Sequence, residues 1–440
     1  MLDLARALEL KENLVDFVYD DEGAIAVALE SYAAQKSKKN SYGIKQQNLA
    51  VDLFLTQGKV GEQTPLDVFI QQAKNLSTAD ISIIKHWQRN FIGLFEIQAI
   101  ETDSYRLMNW LTAKTYRVYS HAGMSDKEIS RWQPGEIILC IIAPLNDETE
   151  WFFFSDRIIK GRLSQPKLAV AIGEFRDNYP ESLYADAPEL LEQSWLSVAV
   201  YHQEFVNYLG SDRLTLPGYK LNQKIGELQT VMSQKKLAEA GIDNSKSLAE
   251  LLQESGKTES EFTTAAADLG ADAQAVAKLM DNKNNSMVTP KVDLPPEIKQ
   301  AESVTVYSDV KWGQMFLPNH EKFTQLLTQA DPQTAENNQL LVRKYLEQPQ
   351  ANYYVWQQLK QEYPNSLEKL LQNYLNNRDF KLETDLAKLL QEYNKPAIPE
   401  LPAIASVPIH LNNLFEAAVA QVQKTKSKTK KKKKTGFRKS

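Results

Sequence analysis

The chain holds one cysteine, Cys140, in 440 residues. An intramolecular disulfide is therefore excluded, and so is any zinc or iron–sulfur centre built from several thiolates. A reducing cytoplasm is the expected compartment. Histidine is also scarce. His86, His121, His202, His320 and His410 are widely separated, so the short spacing that places two metal-binding imidazoles on one helix face is missing. Neither a glycine-rich phosphate loop nor a dinucleotide fingerprint occurs, and no nucleophile elbow is found. Long apolar runs are lacking as well. The longest is Ile137–Ile142, followed by Ala143, Pro144 and Leu145, whereas a spanning helix needs roughly 20 apolar residues. Met1–Arg6 shows no basic region ahead of an apolar one, so no secretory signal is expected.

What the chain does have is ordinary globular material with a very uneven charge. Hydrophobic residues make up 42% and charged residues 24%, enough for two to four domains with sizeable cores. Of 51 Lys and Arg, ten fall in the last seventeen residues, Lys424 to Ser440, which contain no acid. Residues 1–423 are left with 41 basic groups against 56 acids, a net of −15. An acidic body thus carries a +10 tail, which like-charge repulsion should keep disordered when free.

The pattern along the chain predicts a mainly α protein of several parts with a small antiparallel, barrel-like β insertion. Residues 1–90 read as helical: Leu4, Leu8, Leu14, Val15 and Val18 lie near one face, and Thr64-Pro65 and Ser77 start helices. From residue 91 to 160, β-branched and aromatic runs between turn residues suggest about five short antiparallel strands. Residues 161–285 read as helical, with capping-box patterns at Ser247 and Thr258. Residues 286–302 read as a polar, Pro-containing linker. Residues 303–395 read as one strand (Ser303 to Tyr307) and three or four helices. Residues 396–423 combine a Pro-rich connector with a short helix, and residues 424–440 form the polybasic tail.

Within the β insertion the order is Gly93-Leu94-Phe95-Glu96-Ile97, then Leu107 and Trp110-Leu111-Thr112, then Tyr116-Arg117-Val118. Gln133-Pro134-Gly135-Glu136, Ala143-Pro144-Leu145 and Trp151 close the series. This stretch resembles a β segment of bacterial proteins of unassigned function that often end in a SEC-C zinc motif. The chain as a whole, with its Gln- and Asn-rich helices, is similar to cyanobacterial proteins of that group. It departs from them at the C-terminus, where lysines stand in place of clustered cysteines. The resemblance therefore implies no metal ligand and no catalytic residue. For a cyanobacterial protein it implies a cytoplasm filled with anionic thylakoid membrane.

Several groups can be weighed for chemistry. His202 and Glu204 are two residues apart on a predicted helix, where side chains diverge, so they make a poor dyad. Asp20, Asp21 and Glu22 could hold a divalent cation, but a turn that caps the next helix explains them better. Cys140 sits in an apolar strand that blunts its thiol. Trp151–Phe154 could stack nucleobases, yet alternation turns at least half of the run into the core.

The functional expectation therefore rests on the tail. It points to a non-catalytic binding or scaffold protein without cofactor or metal, docking through Lys424, Lys426, Lys428, Lys430, Lys431, Lys432, Lys433, Lys434, Phe437, Arg438 and Lys439. Lysine, a hydrated point charge, suits a charged surface better than a forked recognition site. The preferred partner is an anionic membrane met from the cytoplasmic side, a thylakoid in a cyanobacterium, with Phe437 dipping into the interface. RNA, DNA or the ribosome is the alternative partner for the same charges. Helical regions could hold protein partners. A solubilising tail, or one that contacts the acidic body, is a third reading, and an enzyme with an unrecognised pocket is a fourth.

Overall fold

Hydroxyl caps start helices where the sequence places them. In the computed structural model, Thr64 and Asp67 form a reciprocal capping box at α4 (Pro65–Gln72), and Ser77 and Asp80 form another at α5 (Thr78–His86). Asp21 Oδ1 accepts from the amides of Gly23, Ile25 and Ala26 at 2.8–3.2 Å, capping α2 (Ala24–Ser37). α1 (Leu2–Tyr19) is tied to α5 by Arg6, whose guanidinium donates to both Asp80 oxygens at 2.7 and 2.9 Å. That fork holds the Asp80 carboxyl well below the usual range, with the Ser77 amide adding to it. α3 (Ile44–Gln57) completes the helical layer. The structure describes residues 2–37, 44–120, 132–145, 149–239, 287–328, 336–419 and 421–422.

Two units are present: Met1–Leu191 together with the chain from His410 onward, and Glu192–Ile409. In the first unit, the strands are β1 (Phe91–Ile100), β2 (Ser104–Asn109), β3 (Thr115–Tyr119), β4 (Ile137–Pro144), β5 (Glu150–Phe153) and β6 (Ile158–Gly161). Their order β1-β2-β3-β5-β4 closes on itself because β1 also pairs with β4, from Phe91↔Ile142 to Glu96↔Ile137. β3 and β5 are parallel and every other pair is antiparallel. The result is a closed five-stranded barrel. The expectation of antiparallel strands alone therefore missed a parallel pair, which adjacent sequence cannot signal. It also missed β6, which pairs with the first half of β4 while β5 pairs with the second.

Alternation fills the barrel. Phe91, Phe95, Ile97, Tyr105, Leu107, Tyr116, Val118, Cys140, Trp151 and Phe153 form its interior. Gly93 leaves room for a ring, since a Cβ there would lie 2.5 Å from Phe95 Cζ. The opposite face of β4 and β5 is covered too. Trp87 packs on Phe152 and Phe154 with ring centroids 6.0 and 5.5 Å apart, and α3 packs on β4. Burial of both faces explains why Ile137–Ile142 reads as an unbroken apolar run. α6 (Gln165–Asn178) follows, burying Leu168, Ile172 and Phe175.

The second unit is built on β9 (Val304–Asp309), flanked by β10 (Gly313–Leu317) and β7 (Arg213–Leu216), all antiparallel. On one face Val304 and Val306 pack with Val198, Tyr201 and Phe205 of α7 (Pro188–Leu209) and with Leu221, Ile225 and Leu228 of α8 (Gly218–Glu239). On the other, Tyr307, Met315 and Leu317 meet five helices: α10 (His320–Thr328), α11 (Glu336–Glu347), α12 (Tyr353–Glu362), α13 (Pro364–Leu375) and α14 (Leu382–Glu392). The stretch predicted as a linker, 286–302, is packed over its described residues, 287–302. It forms β8 (Met287–Val288), which pairs with β11 (Val407–Pro408), and α9 (Pro296–Lys299), and it buries Leu294 and Ile298 in the first of these cores. Two apolar side chains among many polar ones gave too weak a period to reveal this. The capping patterns at Ser247 and Thr258 lie outside the described residues.

α8 and α9 meet backbone to backbone at Gly218, whose amide donates to Ala301 O at 2.9 Å. A Cβ on Gly218 would fall 1.9 Å from the Ile298 carbonyl oxygen. Gly218→Ala should therefore lower unfolding free energy by about 1–3 kcal/mol, the usual range for overpacking a site that cannot yield. Urea unfolding of the full chain, followed by tryptophan fluorescence, checks this.

Candidate functional site

The predicted site residues, Lys424 to Lys439, lie outside the described residues. Their root is described. A last helix, residues 409–419 with 421–422, buries Leu411, Leu414 and Ala418. His410 Nε2 is 2.7 Å from the Trp110 carbonyl, at the turn between β2 and β3, and the two rings lie 6.5 Å apart. Burial holds the His410 imidazole below its ordinary pKa, so it sits there as a neutral donor. At the other end, Gln421 Nε2 donates to Gln165 Oε1 at the start of α6, at 2.7 Å. The tail therefore starts three residues beyond a point fastened to the first unit.

The outer face of β2 and β3 is one place where basic side chains gather. Here Arg106 and Arg117 stand directly opposite each other. Arg117 is stacked on Tyr119 at 5.2 Å and paired with Glu101 and Asp103 at 3.4 and 3.9 Å. Tyr119 Oη donates to Glu150 at 2.9 Å. Two acids thus offset the Arg117 guanidinium, and a third, Glu150, stands beside Tyr119. The aromatic run that could have stacked bases is wholly buried: Trp151, Phe152, Phe153 and Phe154 are each no more than 6% exposed. Cys140 lies inside the barrel, where burial pushes its thiol far above the ordinary value.

In the second unit, five side chains from five elements form one polar chain. Arg213 of β7 donates to Glu362 of α12 and, at 3.1 Å, to Tyr307 Oη of β9. Tyr307 Oη is 3.0 Å from His320 Nε2, and His320 Nδ1 is 2.6 Å from Tyr345 Oη of α11. With Arg213 donating, the Tyr307 hydroxyl is free to donate to Nε2, which leaves the imidazole proton on Nδ1 for Tyr345. Phe323 stacks on Tyr345 at 4.1 Å and Trp356 meets both rings edge-on. Burial, with Arg213 adding to it, lowers the His320 pKa to about 4. Lys395, only 3% exposed, donates to Gln348 O beyond α11, and burial lowers its pKa to about 8. Both ring nitrogens of His320 are occupied by neighbours, so the network braces strand to helices. Sequence offered no sign of it, since its members span residues 213 to 362 with no fixed spacing.

The other candidates separate. His202 Nδ1 is 3.2 Å from Ser308 Oγ on β9, whereas Glu204 is bound to Lys235 of α8. The two diverge, as helical geometry predicts. Asp21 is occupied as a helix cap. Among the described residues, no group of three or more His, Cys, Asp or Glu is placed to hold a metal ion, and no helix is long and apolar enough to cross a membrane. No protein-family model, curated protein or solved structure matches this chain.

Because His320 is held neutral, the unfolded chain takes up its proton first as pH falls. The stabilisation is complete above the ordinary value of 6.5 and is lost progressively toward pH 4. The difference corresponds to up to about 3 kcal/mol. His320→Gln should shrink the loss of unfolding free energy between pH 7 and pH 4 relative to the parent chain, as read from urea midpoints across that window.

Proposed function

We propose that this protein is a non-catalytic binding or scaffold protein that docks on an anionic membrane face through Lys424–Lys439. The observation that carries the reading is the separation of charge, −15 over residues 1–423 and +10 over the last seventeen. Each basic residue near an anionic bilayer contributes up to ~1 kcal/mol at moderate salt. Ordering of the tail and repulsion from the acidic body offset part of this. The fastening of Gln421 to Gln165 supports the reading because it gives the tail a fixed starting point on a folded unit.

A second reading, binding of RNA or DNA, is favoured by one observation, the closed five-stranded barrel, an architecture that some nucleic-acid-binding domains also use. Architecture alone does not carry function. The mixed charge around Arg106 and Arg117 and the burial of Trp151–Phe154 weigh against the barrel as the binding face.

Deleting residues 424–440 should leave the melting transition unchanged and weaken binding to phosphatidylserine-rich vesicles at least about tenfold, the equivalent of 1.4 kcal/mol. Binding of the full chain should fall steeply with added salt. Sedimentation with vesicles and with single-stranded RNA, each over a salt series, measures both partners. Equal vesicle binding by the truncated chain would refute the tail as the docking element, and retention by RNA alone would favour the second reading.

A further inference from the structure

On its exposed side α6 carries one large apolar side chain, Val170, between Lys167 and Glu174. Leu168, Ile172 and Phe175 account for its buried face. On the other side, Leu163, Pro166, Val170 and Ala171 line a shallow open groove of about 360 Å³. Val170 is 61% exposed. Lys160 and Lys167 border the groove, with Glu174 as the one acid at its far end. An exposed apolar strip bordered by lysines matches a lipid interface, where the apolar part enters the acyl boundary and the ammonium groups meet lipid phosphates.

The same strip lies beside the root of the tail. Gln165 directly precedes Pro166 of the groove and holds Gln421. Lys424, the first residue of the tail, follows Gln421 by three positions in the chain. Val419 and Val422, on the helix that leads to the tail, are themselves 55% and 41% exposed. Apolar surface, bordering lysines and the start of ten further positive charges thus converge on one part of the first unit.

We infer that the groove of α6 and β6 is a second contact with the bilayer, an apolar foothold for an anionic membrane that works with the tail. The inference rests on the tail reading above and adds to it a definite orientation of the first unit. A basic segment alone gives loose, salt-sensitive attachment. Stable peripheral attachment takes two signals, one electrostatic and one apolar.

The test uses the full chain and vesicles of phosphatidylserine with phosphatidylcholine. Val170→Glu places a carboxylate in the strip at a position exposed enough to leave the core intact, which an unchanged melting transition verifies. It should weaken vesicle binding about tenfold with the salt dependence still steep, whereas deletion of 424–440 should flatten that dependence. Val170→Trp should bind more tightly and show fluorescence quenching by brominated lipid beyond that of the parent chain. If the parent binds with a steep salt dependence while Val170→Glu binds equally well and Val170→Trp gains no quenching, the foothold is refuted and the tail reading stands. If the parent does not bind these vesicles, or binds only single-stranded RNA, both fall. Self-association of the parent that Val170→Glu abolishes, without change in vesicle binding, would make the strip an interface between copies and overturn the inference.

Discussion

The first unit depends on strand β1 pairing along both of its edges. One edge holds β4 over six consecutive residues, and the other holds β2 from Phe95 to Ile100 across a register shift between Ile97 and Ala99. Such a shift bends a strand and increases its twist, which helps a short sheet close on itself. Closure in turn shelters the aromatic interior. Phe91, Tyr116 and Trp151 meet with centroids 5.2–5.6 Å apart, and Tyr105, Trp132 and Phe153 form a similar group. These rings come from strands far apart in the chain, so they gather only when the barrel is closed. An open sheet would expose them to water and forfeit the apolar stabilisation they supply.

The second unit solves a similar problem with β9. Its alternate residues serve two cores, Val304 and Val306 toward α7 and α8, and Tyr307 toward the five later helices. The side that carries Tyr307 also carries polarity, and the chain from Glu362 through Arg213 and His320 to Tyr345 satisfies it. The buried members, Tyr307, His320 and Tyr345, are favourable there only while each is paired. The network makes the docking of α10, α11 and α12 on the sheet specific in geometry, and it makes that docking sensitive to proton uptake at His320.

Electrostatics links the fold to the functional reading. An acidic body repels an anionic surface at long range, whereas a basic segment attached to it draws the chain in. A tether with a fixed root concentrates that attraction beside one face. The face in question carries unburied apolar side chains and lysines, which act at contact range, where dehydration rather than charge decides affinity.

Local chemistry made much of this legible. The capping residues Thr64, Ser77 and Asp21, the helix Pro188–Leu209 and the strands around Ile97, Leu107 and Val118 follow from short-range patterns that neighbouring residues set by themselves. So does the separation of charge, which composition alone determines. Other features needed the fold. The parallel pairing of β3 with β5, the packing of residues 287–299 in a core, the gathering of Arg213, Tyr307, His320 and Tyr345, and the fastening of Gln421 beside the α6 groove all join residues far apart in the chain. Their meeting depends on which surfaces are buried together, a property of the packed chain that no local period encodes.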